Sequence, residues 1–327
     1  MRYLITGGAG FIGSHLTDAL LERGDTVSIL DNFSTGDAAN IAHLVGDARV
    51  SITSGSVLDD HLVQGLVRNC DVVVHLAAAV GVKLIVEQPL ESMITNIRGT
   101  ETVLGACAEL DKRVLVSSTS EIYGKNTSGP LHEDSDRILG SPLKSRWSYS
   151  TSKAVDEILA YNYWKERGTQ AIIVRLFNCV GPRQTGSYGM VLPTFVRQAL
   201  LGEDISVYGS GEQRRCFCHV RDTVAGLLGL LDHPDSPGTV FNVGNNEEIS
   251  IGELAKSVID AIGSASKISL VPYEEAYEAG FEDMERRVPD ISRIRSLTGW
   301  APTLTLEKMI ADVTEFQRRS LQTQEMR

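Results

Sequence analysis

Cysteine is scarce in this chain, five among 327 residues, odd in number and irregularly spaced at positions 70, 107, 179, 216 and 218. Such a set supports neither a disulfide framework nor a paired-cysteine zinc site, and no metal is expected. Cys216 and Cys218 read as ordinary strand residues. Positive charge is also short, with 31 Lys and Arg against 42 Asp and Glu and a formal net charge of −11. Binding a phosphate backbone draws on a basic surface for counterion release, so a nucleic-acid partner is argued against. No apolar stretch approaches the ~20 residues that span a bilayer. The first residues, MRYLITGGAG, run straight into what reads as a core strand. Together these features give the expectation of a cytoplasmic protein with no membrane partner.

What is present is enough apolar material for a large core, 42% of the residues, in a chain long enough for one large α/β unit and a smaller lobe. Short apolar runs alternate with stretches of helical period, the pattern of a parallel sheet covered by helices on both faces. Strands are expected at Tyr3–Thr6, Val27–Leu30, Val50–Thr53, Val72–Leu76, Val114–Ser118 and Ile172–Leu176. Helices are expected at Phe11–Arg23, Asp59–Arg68, Leu90–Leu110 and Tyr149–Arg167, the first stopped by Gly24. After Leu176 the alternation breaks into the turn-rich NCVGPRQTGSYG. A helix near Val191–Leu201 follows, and Asp222–Leu231 and Val240–Val243 look like a return to the first unit. The expected division is therefore interleaved, with 1–177 and about 220–245 forming a dinucleotide-binding domain. Residues 178–219 and 246–327 form the second, substrate-binding lobe.

The first strand ends in TGGAGFIG, with Gly7, Gly10 and Gly13 leading directly into an amphipathic helix. Glycines allow a sharp bend and close approach to a pyrophosphate, and the helix N-terminus offers free N–H groups with a partial positive charge. A glycine triplet is a weak signal alone, but between a strand and a helix it becomes a dinucleotide signature. Asp31 closes the second strand, where an acidic side chain can accept hydrogen bonds from the adenosine ribose. No lysine or arginine follows in Asn32–Asp37 to pair with a 2′-phosphate. NAD is therefore expected rather than NADP.

Tyr149 and Lys153 lie four apart at the start of an expected helix and share a face. A free phenol ionises near pH ~10, but an adjacent ammonium and an oxidised nicotinamide would both favour phenolate and make Tyr149 a usable base. Ser117-Ser118-Thr119 closes a strand upstream, at the carboxyl edge of the sheet where α/β proteins bind ligands.

These features resemble the extended short-chain dehydrogenase/reductase family, specifically its nucleotide-sugar epimerases, dehydratases and decarboxylases. The resemblance covers essentially the whole chain. TGGAGFIG, HLAA at His75–Ala78, SSTSEIYG at Ser117–Gly124, YSTSK at Tyr149–Lys153 and FNCVGPRQ at Phe177–Gln184 all stand in family order. The resemblance implies a Rossmann-type doubly wound sheet with a smaller α/β substrate lobe, and NAD held by a defined set of positions. These are Gly7, Gly10, Phe11, Ile12, Gly13, Asp31, Asn32, Ser34, Thr35, Gly36, Leu76, Ala77, Ala78, Asn96, Ser117, Tyr149, Lys153 and Val180, with Ser56 and Val57 at the adenine. Ser56 is a departure, since relatives often carry an aspartate there, and backbone contacts from Ser56 and Val57 would substitute. Thr119 is implied to hydrogen-bond the sugar, Tyr149 to act as base, and Lys153 to orient both Tyr149 and the nicotinamide ribose. Asn178, Arg183, Val191, Arg215 and Arg287 are implied contacts of the nucleotide sugar, and arginine suits a diphosphate because its planar fork bonds two oxygens. A homodimer is implied too, through helices matching Leu90–Leu110 and Tyr149–Arg167.

The triplet Thr119-Ser120-Glu121 bears on the reaction. Family 4,6-dehydratases resemble Thr-Asp-Glu, so with Ser120 in place of the acid the departing C6 hydroxyl would lack its proton donor. Simple 4-epimerases carry small or apolar residues at both positions. The triplet, with Arg215-Cys216-Phe217, most resembles UDP-glucuronate decarboxylases. There a C4 ketone lies β to the C5 carboxylate, and Tyr149 can stabilise the enolate left by loss of carbon dioxide. Glu121 and Arg215 would manage the carboxylate and the protonation of C5. The product would be a UDP-pentose, or the 4-keto pentose if it is released. A UDP-sugar 4-epimerase, a 4,6-dehydratase and a non-catalytic NAD-binding sensor stand as the alternatives, the last because a fold does not fix a function.

Overall fold

Alternating side chains along the apolar strands split one sheet between two cores. In β1 (Arg2–Thr6), Tyr3 and Ile5 enter one apolar cluster and Leu4 the other. In β4 (Val72–His75), Val72 and Val74 face the first cluster and Val73 the second. This period of two is what a sheet buried on both faces imposes. Burying each such side chain contributes roughly 1.5–3 kcal/mol.

The structure is a computed structural model and describes residues 1–79, 88–144, 147–185, 190–272, 284 and 286–325. Its main sheet has seven parallel strands in the order β11-β6-β5-β4-β1-β2-β3. The remaining members are β2 (Thr26–Asp31), β3 (Val50–Ser54), β5 (Arg113–Thr119), β6 (Ala171–Leu176) and β11 (Val240–Val243). On one face lie α2 (Asp60–Arg68), α3 (Pro89–Glu109) and α4 (Ser148–Arg167); on the other lie α1 (Phe11–Glu22) and α6 (Val220–Asp232). The strand order reverses on either side of β1, which makes this a doubly wound, Rossmann-type sheet with its ligand crevice at the switch point. The expected elements match these to within a residue or two, and Gly24 follows α1 at φ +86°, a left-handed stop.

A third apolar cluster gathers α5 (Val191–Leu201), α7 (Ile251–Ile262) and α9 (Leu306–Glu325) around Leu192, Phe195, Leu254 and Val313. Short strands surround it: β7 (Cys179–Val180), β8 (Ile205–Tyr208), β9 (Arg214–Cys216), β10 (Cys218–His219), β12 (Glu248–Ser250), β13 (Ile268–Val271) and β14 (Arg286–Arg287). Cys216 and Cys218 thus belong to two different strands, and all five cysteines are free thiols. One segment departs from the expected division. Ile291, Ile294 and Trp300, on and beside α8 (Ser292–Thr298), pack into the core of the main sheet rather than the third cluster. Residues 186–189 of the turn-rich segment lie outside the described residues.

Candidate active site

The turn between β1 and α1 has no room for a side chain at Gly7 or Gly13. A Cβ on Gly13 would sit 2.3 Å from the Gly7 carbonyl oxygen, and one on Gly7, at φ +75°, would sit 2.8 Å from the Ala77 nitrogen. Gly10 caps α1 without a side-chain hydrogen bond, and the first turn carries no acid. The helix end therefore presents free N–H groups to the cleft, as an anionic pyrophosphate requires. Asp31 serves this turn directly. Its carboxylate accepts from the backbone N–H of Ala9 at 2.9 Å and of Phe33 at 2.8 Å. Gly36 lies against it, where a Cβ would come within 2.9 Å of Asp31 Oδ1. The carboxylate still borders the cleft, with no cation at 32–37. These features fit a dinucleotide with a free adenosine ribose.

A cleft of about 1340 Å³ runs from this turn across the carboxyl ends of the strands to the third cluster. Of the residues read as cofactor contacts, Gly7, Gly10, Phe11, Ile12, Gly13, Asp31, Asn32, Ser34, Thr35, Gly36, Val57, Leu76, Ala77, Ala78, Ser117, Tyr149 and Val180 line it. So do Thr119, Ser120, Glu121, Asn178, Arg183, Val191, Arg215 and Arg287. Ser56, Asn96 and Lys153 do not. At the end of the cleft expected to take adenine it is Gly55 and Val57 that line the wall, while the Ser56 hydroxyl accepts from Leu58 N–H at 3.2 Å. Asn96 is 1% exposed and works behind the wall, accepting from Ala79 N–H at 2.8 Å and donating to Ser152 Oγ at 3.2 Å. It ties the loop after β4 to α4.

Lys153 is likewise buried, at 1% exposure, and its ammonium donates to Asp156 Oδ2 at 2.7 Å. The ammonium expected to ease ionisation of Tyr149 is thus held in an ion pair on its own helix. The Tyr149 phenol is pushed well above its ordinary value, by burial first and then by the carboxylates of Glu121 and Asp156. A hydrogen bond from Thr119 acts in the opposite direction. Thr119, Glu121 and Tyr149 therefore converge, with the backbone fixed by the Ser150 hydroxyl donating to Glu121 O at 2.7 Å.

The arginines are arranged by strand pairing. β9 and β14 run parallel with Arg215 opposite Arg287 and Arg214 opposite Arg286. Residues directly opposite share a face, so the Arg215–Arg287 pair turns to the cleft and the Arg214–Arg286 pair turns away from it. Arg287 donates to Asn178 Oδ1 at 2.6 Å and stands 3.8 Å from Glu121. Asn178 in turn donates to Cys216 O at 2.9 Å, and Arg215 to Arg214 O at 2.9 Å. On the opposite face Arg214 and Arg286 both pair with Glu248. Arg183 borders the cleft but is ion-paired to Asp18 of α1 at 2.8 Å, from a left-handed backbone at φ +67°.

Sequence reasoning missed a buried network beneath Thr119. Ser118 donates to Glu157 at 2.5 Å, and Glu157 takes a two-pronged pair from Arg175 at 2.8 and 2.7 Å. Arg175 reaches the Tyr123 hydroxyl at 2.9 Å, which itself donates to Asn242 at 2.7 Å. The network joins β5, α4, β6 and β11 at the floor of the cleft. Asp156 was also missed, although its position three residues after Lys153 puts it on the same helix face.

The family model described as GDP-mannose 4,6 dehydratase matches residues 4–313. The UDP-N-acetyl-alpha-D-glucosaminuronate decarboxylase of Bacillus cytotoxicus is 41% identical over 318 residues, spanning 97% of this chain and 98% of the relative. UDP-glucuronic acid decarboxylase 1 of Xenopus tropicalis is 36% identical, across 99% of this chain and 73% of the relative. Among solved structures, the UDP-glucuronic acid 4-epimerase from Bacillus cereus, in complex with UDP-glucuronic acid and NAD, superposes with a TM-score of 0.88 at 27% identity. That match covers 98% of this chain and 100% of the other. UDP-glucose 4-epimerase from Thermotoga maritima gives a TM-score of 0.88 at 28% identity, with the same coverage. With the glycine turn, the Tyr149 site and the seven-stranded sheet already in place, this full-length agreement means that the chain belongs to the GDP-mannose 4,6 dehydratase family.

Proposed function

We propose that the protein is an NAD-dependent decarboxylase of a UDP-linked uronic acid, with UDP-glucuronate as the substrate, yielding a UDP-pentose. The observation that carries this is the convergence of Thr119, Glu121 and Tyr149 with Arg215 and Arg287 held in register beside them. The named activities of the relatives, which act on UDP-uronates, support it.

Gly7, Gly10 and Gly13 would cradle the NAD pyrophosphate, Asp31 the adenosine ribose, and Val57 the adenine. Bound NAD supplies the acceptor for the C4 hydrogen and returns it at the end. Thr119 and Tyr149 hold the C4 hydroxyl between them, and Tyr149 takes its proton. The ketone so formed lies β to the carboxylate, and Tyr149 then hydrogen-bonds the enolate oxygen left by carbon dioxide. Glu121 and the arginines stand where the carboxylate departs and C5 is reprotonated. Ser120 offers no acid for loss of a C6 hydroxyl, which disfavours dehydration. A second reading, 4-epimerisation of a UDP-sugar, is favoured by the solved epimerases that share the fold.

Incubation with NAD and UDP-glucuronate, and in parallel with UDP-N-acetylglucosaminuronate, separates these by product mass. Loss of carbon dioxide is expected; unchanged mass with altered configuration would establish the epimerase, and loss of water the dehydratase. Tyr149→Phe should lower turnover by about 10²–10⁴-fold, the usual worth of a positioned acid–base group, while NAD affinity measured by calorimetry stays within about twofold of wild type. A variant that turns over at the wild-type rate would remove Tyr149 as the base.

Residues 1–177 and 220–245 would form the NAD-binding domain, and 178–219 with 246–327 the sugar lobe, except that Ile291–Trp300 packs on the former. No helix among the described residues is long and apolar enough to cross a membrane, and five free thiols suit the reducing cytoplasm. A homodimer through the outer faces of α3 and α4 completes the proposal.

A further inference from the structure

Ser118 on β5, Arg175 on β6 and Asn242 on β11 stand opposite one another across three neighbouring strands. Their side chains therefore share one face of the sheet in a single row. A polar row inside a core is tolerated only where each member is hydrogen-bonded. Asn242, fully buried, uses its whole side-chain amide. The oxygen accepts from the Tyr123 hydroxyl at 2.7 Å, and the nitrogen donates to Leu131 O at 2.8 Å and to Asp290 O at 3.1 Å. Its backbone N–H donates to Glu133 Oε1 at 2.8 Å.

These partners lead to two charged side chains of the cleft. Tyr123 ends the turn Ser120–Tyr123, which carries Glu121. Leu131 and Asp290 lead to the other: Leu131 N–H donates to Val288 O at 2.7 Å, and Asp290 N–H donates to Leu131 O at 2.9 Å. Val288 directly follows Arg287 at the end of β14. One buried amide thus anchors the backbone of Glu121 on one side and that of Arg287 on the other. The guanidinium donates through Nη2 to Asn178 Oδ1, while Nη1 stands 3.8 Å from the Glu121 carboxylate. That gap is about 1 Å longer than a closed charge-assisted pair.

We propose that Asn242 is a positioning residue that holds Glu121 and Arg287 at this distance, so that the carboxylate of the substrate, rather than Glu121, takes up the guanidinium. The proposal rests on the reading of a UDP-uronate as substrate. Opposite charges gain as they approach, so without the anchor Arg287 closes on Glu121, pivoting on Asn178. A closed pair presents less positive charge to an incoming carboxylate. A neutral sugar is indifferent to the change.

Calorimetric binding of UDP-glucuronate and of UDP-glucose, which differ only at C6, tests this in NAD-loaded protein carrying Tyr149→Phe, so that neither sugar is turned over. That parent should prefer UDP-glucuronate by about 10–100-fold, the worth of one charge-assisted bond. Asn242→Ala should lower the preference by about tenfold, as expected when an ion pair shortens by about 1 Å in a half-buried site. Tyr123→Phe keeps the ring and removes only the hydroxyl, and should act in the same direction with a smaller effect. Affinity for UDP-glucose should stay nearly unchanged in both. Because Tyr123 acts through Asn242, the double variant should match Asn242→Ala alone. Should Asn242→Ala fail to fold, Tyr123→Phe carries the comparison of the two sugars.

Variants that keep the full preference for UDP-glucuronate would overturn the proposal. So would an equal loss of affinity for both nucleotide sugars, since a general loosening of the fold would then be the cause. Effects that add in the double variant would also overturn it, because the two residues would not share one anchor. A parent with no preference for the uronate would overturn the substrate reading and the proposal with it, and that outcome is seen before any change at 123 or 242.

Discussion

His75 shows how one side chain can stabilise the cleft without touching a ligand. At 1% exposure it bridges the hydroxyls of Thr6 on β1, 2.7 Å from Nδ1, and Thr100 on α3, 3.1 Å from Nε2. Both contacts suit a neutral ring. Burial, with Lys153 nearby, holds its pKa down to about 3, below the ~6.5 of an unfolded chain. As pH falls, the unfolded state therefore takes up the proton first. The stability His75 confers is complete above about pH 6.5 and is lost progressively between there and about 3. Denaturant unfolding should show wild type losing about 2 kcal/mol more than His75→Gln between pH 7 and 5. Parallel losses in the two proteins would mean that the imidazole is not the group being titrated. The HLAA motif was legible as a family marker, but this role was not, because the partners lie 69 and 25 positions away in the chain.

At the scale of elements, legibility followed length. Strands of four to seven residues buried along nearly their whole length, such as β1 and β5, form apolar runs long enough to be read. β14 has two residues and β9 three, too few for any period. Arg215 and Arg287 were therefore identified by resemblance alone, and their adjacency became visible only through strand pairing. The same pairing predicts opposite outcomes for neighbours in sequence. Arg287→Ala removes a charge-assisted group from the cleft and should lower kcat/KM for UDP-glucuronate by about 10–100-fold, given roughly 1.5–3 kcal/mol for such a bond. Arg286→Ala removes a half-exposed partner of Glu248 on the far face and should change stability by no more than about 1 kcal/mol, with KM nearly unchanged. Steady-state kinetics on the two variants would decide it; equal effects on KM would refute the assignment of faces.

Across the whole molecule, the doubly wound sheet could be read in advance because its strands are apolar on both faces, whereas the return of Ile291–Trp300 to that sheet could not. That segment is short and its apolar residues would suit either core. The outer surface carries a further consequence. α3 and α4 pack side by side over the sheet, and their outward faces leave Ile94 38%, Ile158 58% and Tyr161 44% exposed. Apolar side chains grouped on two adjacent helices gain by meeting a second copy across a two-fold axis, and a stable contact of this kind buries on the order of 1,200–2,000 Å². Sedimentation equilibrium should therefore give twice the chain mass. The double variant Ile158→Glu, Tyr161→Lys should sediment as one chain while keeping the wild-type circular dichroism spectrum, because neither side chain enters the cores. NAD affinity should be little changed in it, since the glycine turn lies within one chain. A wild type that stays monomeric at its highest workable concentration would refute the paired-helix dimer, and a double variant that remains dimeric would place the interface on another face.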